Sequence, residues 1–237
     1  MSETRAAIVT GGSRGIGRAV VETLAEDGWR VYFCSKSQGS VDEAQAPLGE
    51  RFGDRVTGRP VDVREQSAVD AFVAWVAKEA GRIDCLVNNA GLGRFGAVDE
   101  LSGDAWRETL RTNLDGCFYF LHAVAPVMKT HGGGTILNIA SLAARNPFAG
   151  GAAYNASKFG LLGLSDAAML DLRHDGIRVA AILPGSVETE FHRERRDDTS
   201  WMLAPADVAR ACADVLAYPG RALASRIELR PSKPPKK

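Results

Sequence analysis

The sequence predicts a doubly wound, mostly parallel α/β sheet of about seven strands in a single domain, and three observations predict it. Short apolar runs alternate with amphipathic stretches between residues 5 and 229, the order that builds βαβ units. The first apolar run leads directly into a glycine-rich turn, Gly11-Gly12-Ser13-Arg14-Gly15-Ile16-Gly17. No internal repeat or linker-like stretch interrupts the 237 residues, an ordinary length for one α/β domain.

Residues 5–10 read as the first strand, and the helix after the turn runs to about Asp27, with Ile16, Val20, Leu24 and Ala25 near helical spacing. Strand, glycine turn and helix aim backbone N–H groups and a helix N-terminus at a pyrophosphate, as in Rossmann-type sheets. The spacing is Gly-x-x-x-Gly-x-Gly rather than the commoner Gly-x-Gly-x-x-Gly. The context on both sides therefore carries the expectation of dinucleotide binding, against the blander reading of a structural turn.

The second strand spans 30–34. An acidic residue near its end would accept a ribose 2′-hydroxyl, but Ser35 and Lys36 stand there. A carboxylate would repel a 2′-phosphate, whereas Ser35, Lys36 and Arg14 can bind one, which favours NADP(H) with NAD(H) as the alternative. The competing reading of Arg14 and Lys36 is that of solvated surface charges.

Residues 39–53 are expected to be helical in two short pieces, with Pro47 opening the second. A third strand at 56–61 ends in Asp62-Val63 and is followed by a helix over 64–80, patterned by Val69, Phe72, Val73 and Val76. The fourth strand, 83–87, closes on Asn88-Asn89-Ala90-Gly91. Ligands of open α/β sheets sit beyond such strand ends, although a loop-stabilising amide network would use the same residues.

Ser102 is the expected N-cap of one long helix to about Lys129. Asn113 lies inside it, and so poor a helix former among apolar residues asks for a hydrogen-bonding reason. The fifth strand, 134–139, ends in Ala140-Ser141, and a loop over 142–151 leads into a helix over 152–172. The sixth strand, 177–183, leaves through Pro184-Gly185-Ser186-Val187-Glu188-Thr189. Residues 192–203 are charged and irregular, 205–217 a final helix, 222–229 a last strand, and 230–237 a Pro/Lys-rich tail expected to be disordered.

Tyr154 and Lys158 share one face of the 152–172 helix, being four apart. A phenol titrates near 10, so a working value near neutrality needs a drop of roughly three units, about 4 kcal/mol. An ammonium about 4 Å away at an effective dielectric of about 20 supplies a similar amount. A chance surface pair is the bland alternative.

The 29 acidic and 29 basic side chains cancel, which argues against nucleic-acid or anionic-membrane partners. Four scattered cysteines without a Cys-x-x-Cys, and no apolar run long enough for a leader or a membrane span, lead to the expectation of a soluble cytoplasmic protein with free thiols. The histidines show no metal-ligand spacing and no Gly-x-Ser-x-Gly elbow occurs, so neither a metal nor a serine nucleophile is expected.

In order along the chain, Thr10-Gly-x-x-x-Gly-Ile-Gly17, Asn88-Asn-Ala-Gly91, Asn113, Ser141, Tyr154-x-x-x-Lys158 and Pro184-Gly185 resemble the short-chain dehydrogenase/reductase family, in its ketoacyl-reductase-like branch, from residue 5 to about 229. The resemblance implies a carbonyl reductase, or an alcohol dehydrogenase in reverse. It makes Tyr154 the general acid/base, Ser141 the partner of the substrate oxygen, Lys158 the residue that holds the nicotinamide ribose and lowers the Tyr154 pKa, and Asn113 the holder of a water. Gly11, Ser13, Arg14, Gly15, Ile16 and Gly17 would shape or border the pyrophosphate site, and Asp62, Val63, Asn89, Ala90 and Gly91 the adenosine side. Pro184, Gly185, Val187 and Thr189 would hold the nicotinamide end.

A homodimer or homotetramer follows from the same resemblance, with the faces around Phe118, His122, Leu161, Leu164 and Met169 shared between core and partner. Leu142, Arg145, Phe148, Arg94 and Phe95 are expected to line the substrate pocket. Departures are an end reading Arg226-Ile-Glu-Leu-Arg-Pro231 where the family often closes on Asp-Gly-Gly, and a short charged segment after Thr189. The alternatives are a non-catalytic NADP(H)-sensing binding protein and a dehydratase or epimerase of the extended branch.

Overall fold

The computed structural model describes residues 4–190 and 198–235. Seven strands form one parallel sheet: β1 (Ala6–Thr10), β2 (Arg30–Ser35), β3 (Val56–Pro60), β4 (Cys85–Asn88), β5 (Gly134–Ile139), β6 (Ile177–Pro184) and β7 (Arg226–Leu229). Their order is β3-β2-β1-β4-β5-β6-β7, so the winding reverses between β1 and β4. Ala7, Ile8 and Val9 of β1 stand beside Cys85, Leu86 and Val87.

Both faces of this sheet are covered, and strand alternation sorts the side chains between them. Ala7 and Val9 join Phe33 in a core closed by α1 (Gly15–Glu26), α2 (Gln38–Phe52) and, through Val208 and Val215, by α7 (Pro205–Ala217). Ala6 and Ile8 point the other way. There Phe72 of α3 (Gln66–Ala80) and Phe120 of the fifth helix pack on Leu86 and Ile136.

Two helix expectations are corrected. α2 is continuous through Pro47. The buried face is Val41, Ala44, Leu48 and Phe52, and Pro47 lies on the exposed side, where water can satisfy the carbonyl that its missing N–H leaves open. The long helix after Ser102 is three pieces: α4 (Gly103–Leu110), a π-helical stretch Arg111–Asp115, and α5 (Gly116–Thr130). The widened turn carries Asn113, fully buried, and supplies the hydrogen-bonding reason that its position demanded. Its Nδ2 donates to Leu92 O at 2.8 Å and to Ser157 Oγ at 3.0 Å, and its Oδ1 accepts from Leu92 N at 2.8 Å. π-bulges of this kind are frequent at functional sites.

The last strand is shorter than expected, beginning at Arg226. At the chain end, Arg230, Pro231 and Pro234 lie beside the crevice at the strand ends. Gly185 N donates to Leu229 O, and Pro231 lies over Gly185. The charged segment at 191–197, with Arg193, Arg195 and Arg196, falls outside the described residues.

Candidate active site

The carboxyl ends of β1, β4, β5 and β6 open into a cleft of about 900 Å³, at the point where the strand order reverses and an α/β sheet leaves a crevice. Gly11 and Gly15 take positive φ, 64° and 55°, a conformation natural only to glycine. Gly17 packs beneath them: a Cβ there would stand 2.2 Å from Gly11 O and 2.4 Å from Asn89 Nδ2. This close packing brings the N-terminus of α1 to the cleft floor, the arrangement that suits a pyrophosphate, so the residues present fit a dinucleotide.

Most of the expected binding residues line this cleft: Gly11, Ser13, Arg14, Gly15, Ile16, Ser35, Lys36, Asp62, Val63, Asn89, Ala90, Gly91, Pro184, Gly185, Val187 and Thr189. Gly17 and Asn113 do not; they lie behind the wall and shape it. Asn89 does both, because its Nδ2 donates to Thr10 O at 2.9 Å and its backbone N–H to Thr10 Oγ1 at 2.9 Å, latching the glycine turn. Its neighbour Asn88 is purely structural, buried and donating to Asn138 Oδ1 at 2.9 Å.

At the outer end, Ser13 and Ser35 share a hydrogen bond of 2.9 Å beside exposed Lys36. Arg14 is ion-paired to Glu190 at 2.5 Å. Sequence reading missed Arg64, which lines the cleft and binds both oxygens of Asp62, at 2.9 and 2.5 Å. Those contacts hold the Asp62 carboxyl below its usual range. The signal was an arginine two residues past the carboxylate at the end of β3.

At the inner end, α6 (Ala152–Leu172) presents Tyr154 and Lys158 toward Ser141 and the end of β5. Ser141 Oγ accepts from Ala143 N at 3.1 Å, which leaves its own hydrogen for the Tyr154 oxygen, to which it is bonded. The expected electrostatics are corrected. Burial, the larger effect, pushes the Tyr154 phenol up, and the Ser141 hydrogen bond pulls it only partly back. Lys158 is buried and lowered to about 8 by desolvation. Its Nζ donates to Ile139 O at 2.9 Å and stands 5.8 Å from the centre of the Tyr154 ring.

The substrate-side expectations divide. Leu142, Phe95 and Phe148 line the cleft, while Arg94 and Arg145 are ion-paired to Glu108 and Glu228. Trp201, Pro231 and Pro234 also line it; only the fold brings these distant residues there. Of the supposed partner faces, Leu161 is wholly buried and Phe118 is 45% exposed. No helix among the described residues is long and apolar enough to cross a membrane.

A parallel sheet of this order, with a glycine turn and a cleft at its reversal point, defines a protein of the Rossmann-type dinucleotide-binding α/β class. The family model described as short chain dehydrogenase matches residues 5–200, and the chain belongs to that family. A 3alpha-hydroxysteroid dehydrogenase of Mediterraneibacter gnavus is 35% identical over 192 residues, 81% of this chain and 77% of that protein. A metagenomic short-chain oxidoreductase in complex with NADP superposes with a TM-score of 0.85 at 32% identity, covering 99% of this chain and 100% of the other. An actinorhodin polyketide ketoreductase variant with NADPH does so at 0.89 and 31%, covering 97% and 96%.

Proposed function

We propose that the protein is an NADPH-dependent carbonyl reductase, or alcohol dehydrogenase in reverse, with Tyr154 as its general acid/base. The observation that carries this reading is the Ser141–Tyr154 hydroxyl pair, hydrogen-bonded at the carboxyl edge of the sheet above buried Lys158. A carbonyl gaining a hydride develops alkoxide charge, which the Tyr154 hydroxyl meets as donor, and the Ser141 hydroxyl joins it by turning its one hydrogen from Tyr154 to the substrate oxygen. When bound, the nicotinamide supplies the hydride chemistry; the chain supplies the proton and the positioning.

Tyr154 gives its proton to the new alkoxide in reduction and takes it back in oxidation. Ser141, fixed by Ala143 N, orients the oxygen. Lys158 and the end of β5 would hold the ribose, with Val187 and Thr189 at the carboxamide. Asn113 acts through Leu92 and Ser157, holding the wall of the site. Preference for NADPH is supported by exposed Lys36 and the Ser13–Ser35 pair, with no carboxylate at the end of β2. The NADPH and NADP complexes of the two similar structures agree with it.

The test is loss of NADPH absorbance with a panel of ketones, aldehydes and acyl-thioester analogues. Turnover of a ketone supports the reading, and an inert panel with intact NADPH binding favours the non-catalytic sensor. A cytoplasmic protein is supported by four buried free cysteines. Assembly as a homodimer or homotetramer is proposed with it, and light scattering showing a monomer would refute that assembly.

A further inference from the structure

The amino edge of the sheet, opposite the active-site cleft, holds a second crevice, of about 530 Å³. The starts of β5 and β6 floor it, and the end of α6 and residues 220–223 wall it. Tyr154 lies in the first turn of α6 and Arg173 caps its far end, so about 30 Å of helix separates this crevice from the proposed proton donor. The two cavities share no lining residue.

The cations lining it are all arginines, Arg5, Arg173, Arg178 and Arg221, against one carboxylate, Asp84. In a chain whose charges balance 29 to 29, that is a strong local excess. Asp84 does little to offset it, because Arg82 Nε already donates to both of its oxygens, at 2.9 and 3.0 Å. Among the described residues, none of the four lining arginines is paired with a carboxylate. Arg5 lies over the Trp29 ring, 4.1 Å from its centre. Arg178 Nε and Nη2 donate to Thr135 Oγ1 at 3.2 and 3.0 Å, and its Nη1 donates to Tyr218 O at 2.9 Å. Such neutral partners fix both groups in place and leave their charge whole. Half-buried Arg178 thus gives up water without a counter-ion, which is unfavourable until an anion arrives.

Three features select the ligand. Guanidinium forks match phosphate oxygens in pairs. Four guanidiniums against one carboxylate leave an excess of three positive charges, more than a single carboxylate answers. The space is concave and falls within the roughly 300–1,000 Å³ of small-molecule pockets, a shape that a flat lipid surface does not fill. We propose that this crevice binds a free phosphorylated small molecule, a phosphate ester or diphosphate, through Arg5, Arg173, Arg178 and Arg221. Arg5 and Arg178 are the preset pair, and exposed Arg173 and Arg221 supply the rim. The site is independent of the carbonyl-reducing reading of the other cleft.

Inorganic pyrophosphate is the probe, titrated calorimetrically into protein saturated with NADPH so that the active-site cleft is already occupied. One equivalent should bind, and the melting temperature should rise with its concentration. The double variant Arg173→Ala/Arg221→Ala, which changes only exposed side chains, should weaken pyrophosphate by at least about tenfold and leave NADPH affinity unchanged. Acetate at equal ionic strength should give no saturable heat. No saturable pyrophosphate binding, or the same affinity in the double variant, would overturn the proposal. So would acetate binding as tightly as pyrophosphate, or a parallel loss of NADPH affinity, which would put the pyrophosphate in the dinucleotide cleft.

Discussion

Lys158 Nζ donates to Ile139 O at 2.9 Å from a position only 5% exposed, so the ammonium is solvated by the end of a strand rather than by water. Burial lowers its pKa to about 8, against about 10.4 for an unfolded lysine. Below both values each state keeps the proton and the burial penalty is complete. Between them the unfolded chain holds a proton that the folded one has released, so stability rises with pH across this window. The advantage of Lys158→Met over the native protein should therefore shrink by on the order of 3 kcal/mol between about pH 7.5 and 10.4. Urea unfolding of both proteins measures it, and a difference constant with pH would show that the ammonium is not desolvated.

Tyr154→Phe keeps the ring that packs on Phe95 and removes the hydroxyl bonded to Ser141. Loss of the general acid should lower kcat by about 10²–10⁴-fold, with the NADPH dissociation constant nearly unchanged. Stopped assays and fluorescence titration read the two quantities separately. Retained turnover would take Tyr154 out of the mechanism.

Asn113 satisfies both backbone groups of Leu92 and one hydroxyl, all buried or half-buried. Asn113→Ala leaves them unpaired and should destabilise the fold by about 2–5 kcal/mol. Ser157→Ala, which breaks one of these links, should cost about 1 kcal/mol. Thermal melts compare them, and equal small losses would mean that the π-helical turn needs no amide.

The outer end of the cleft offers a pair of opposite predictions. Lys36→Ala should weaken NADPH by about tenfold and leave NADH unchanged, because a charge-assisted contact to the 2′-phosphate is lost. Glu190→Gln removes the carboxylate that pairs with Arg14 and should tighten NADPH a few-fold at low salt, the gain fading as salt screens it. Equal kcat/KM for the two cofactors in the native protein would defeat the assignment of Lys36.

Gly17→Ala should abolish NADPH binding and lower the melting temperature, since the new Cβ would sit 2.2 Å from Gly11 O and the contact is with backbone that cannot yield. Gly28→Ala is the contrast: its φ is positive, 82°, as that of Gly17 is not, but nothing lies within 4 Å. It should leave binding intact while costing some stability through backbone strain.

The sequence by itself determined the alternation of strands and helices, the glycine turn, and the placing of Tyr154 and Lys158 on one face of a helix. Each is written in local spacing: 3.6 residues per helical turn, two per strand, and glycine where φ must be positive. It also announced that Asn113 needed partners, because an amide inside an apolar helix is locally unfavourable. Only the tertiary structure decided who those partners were and that the helix widens there to reach them. The same holds for Pro47, whose effect turned on which side of α2 faced water, and for Glu228, which meets Arg145 from 83 residues away. Arg230, Pro231 and Pro234 likewise line the cleft only because β7 ends beside Gly185. The sign of the Tyr154 and Lys158 shifts was beyond the sequence for one reason: spacing sets which groups are neighbours, whereas desolvation depends on everything packed around them.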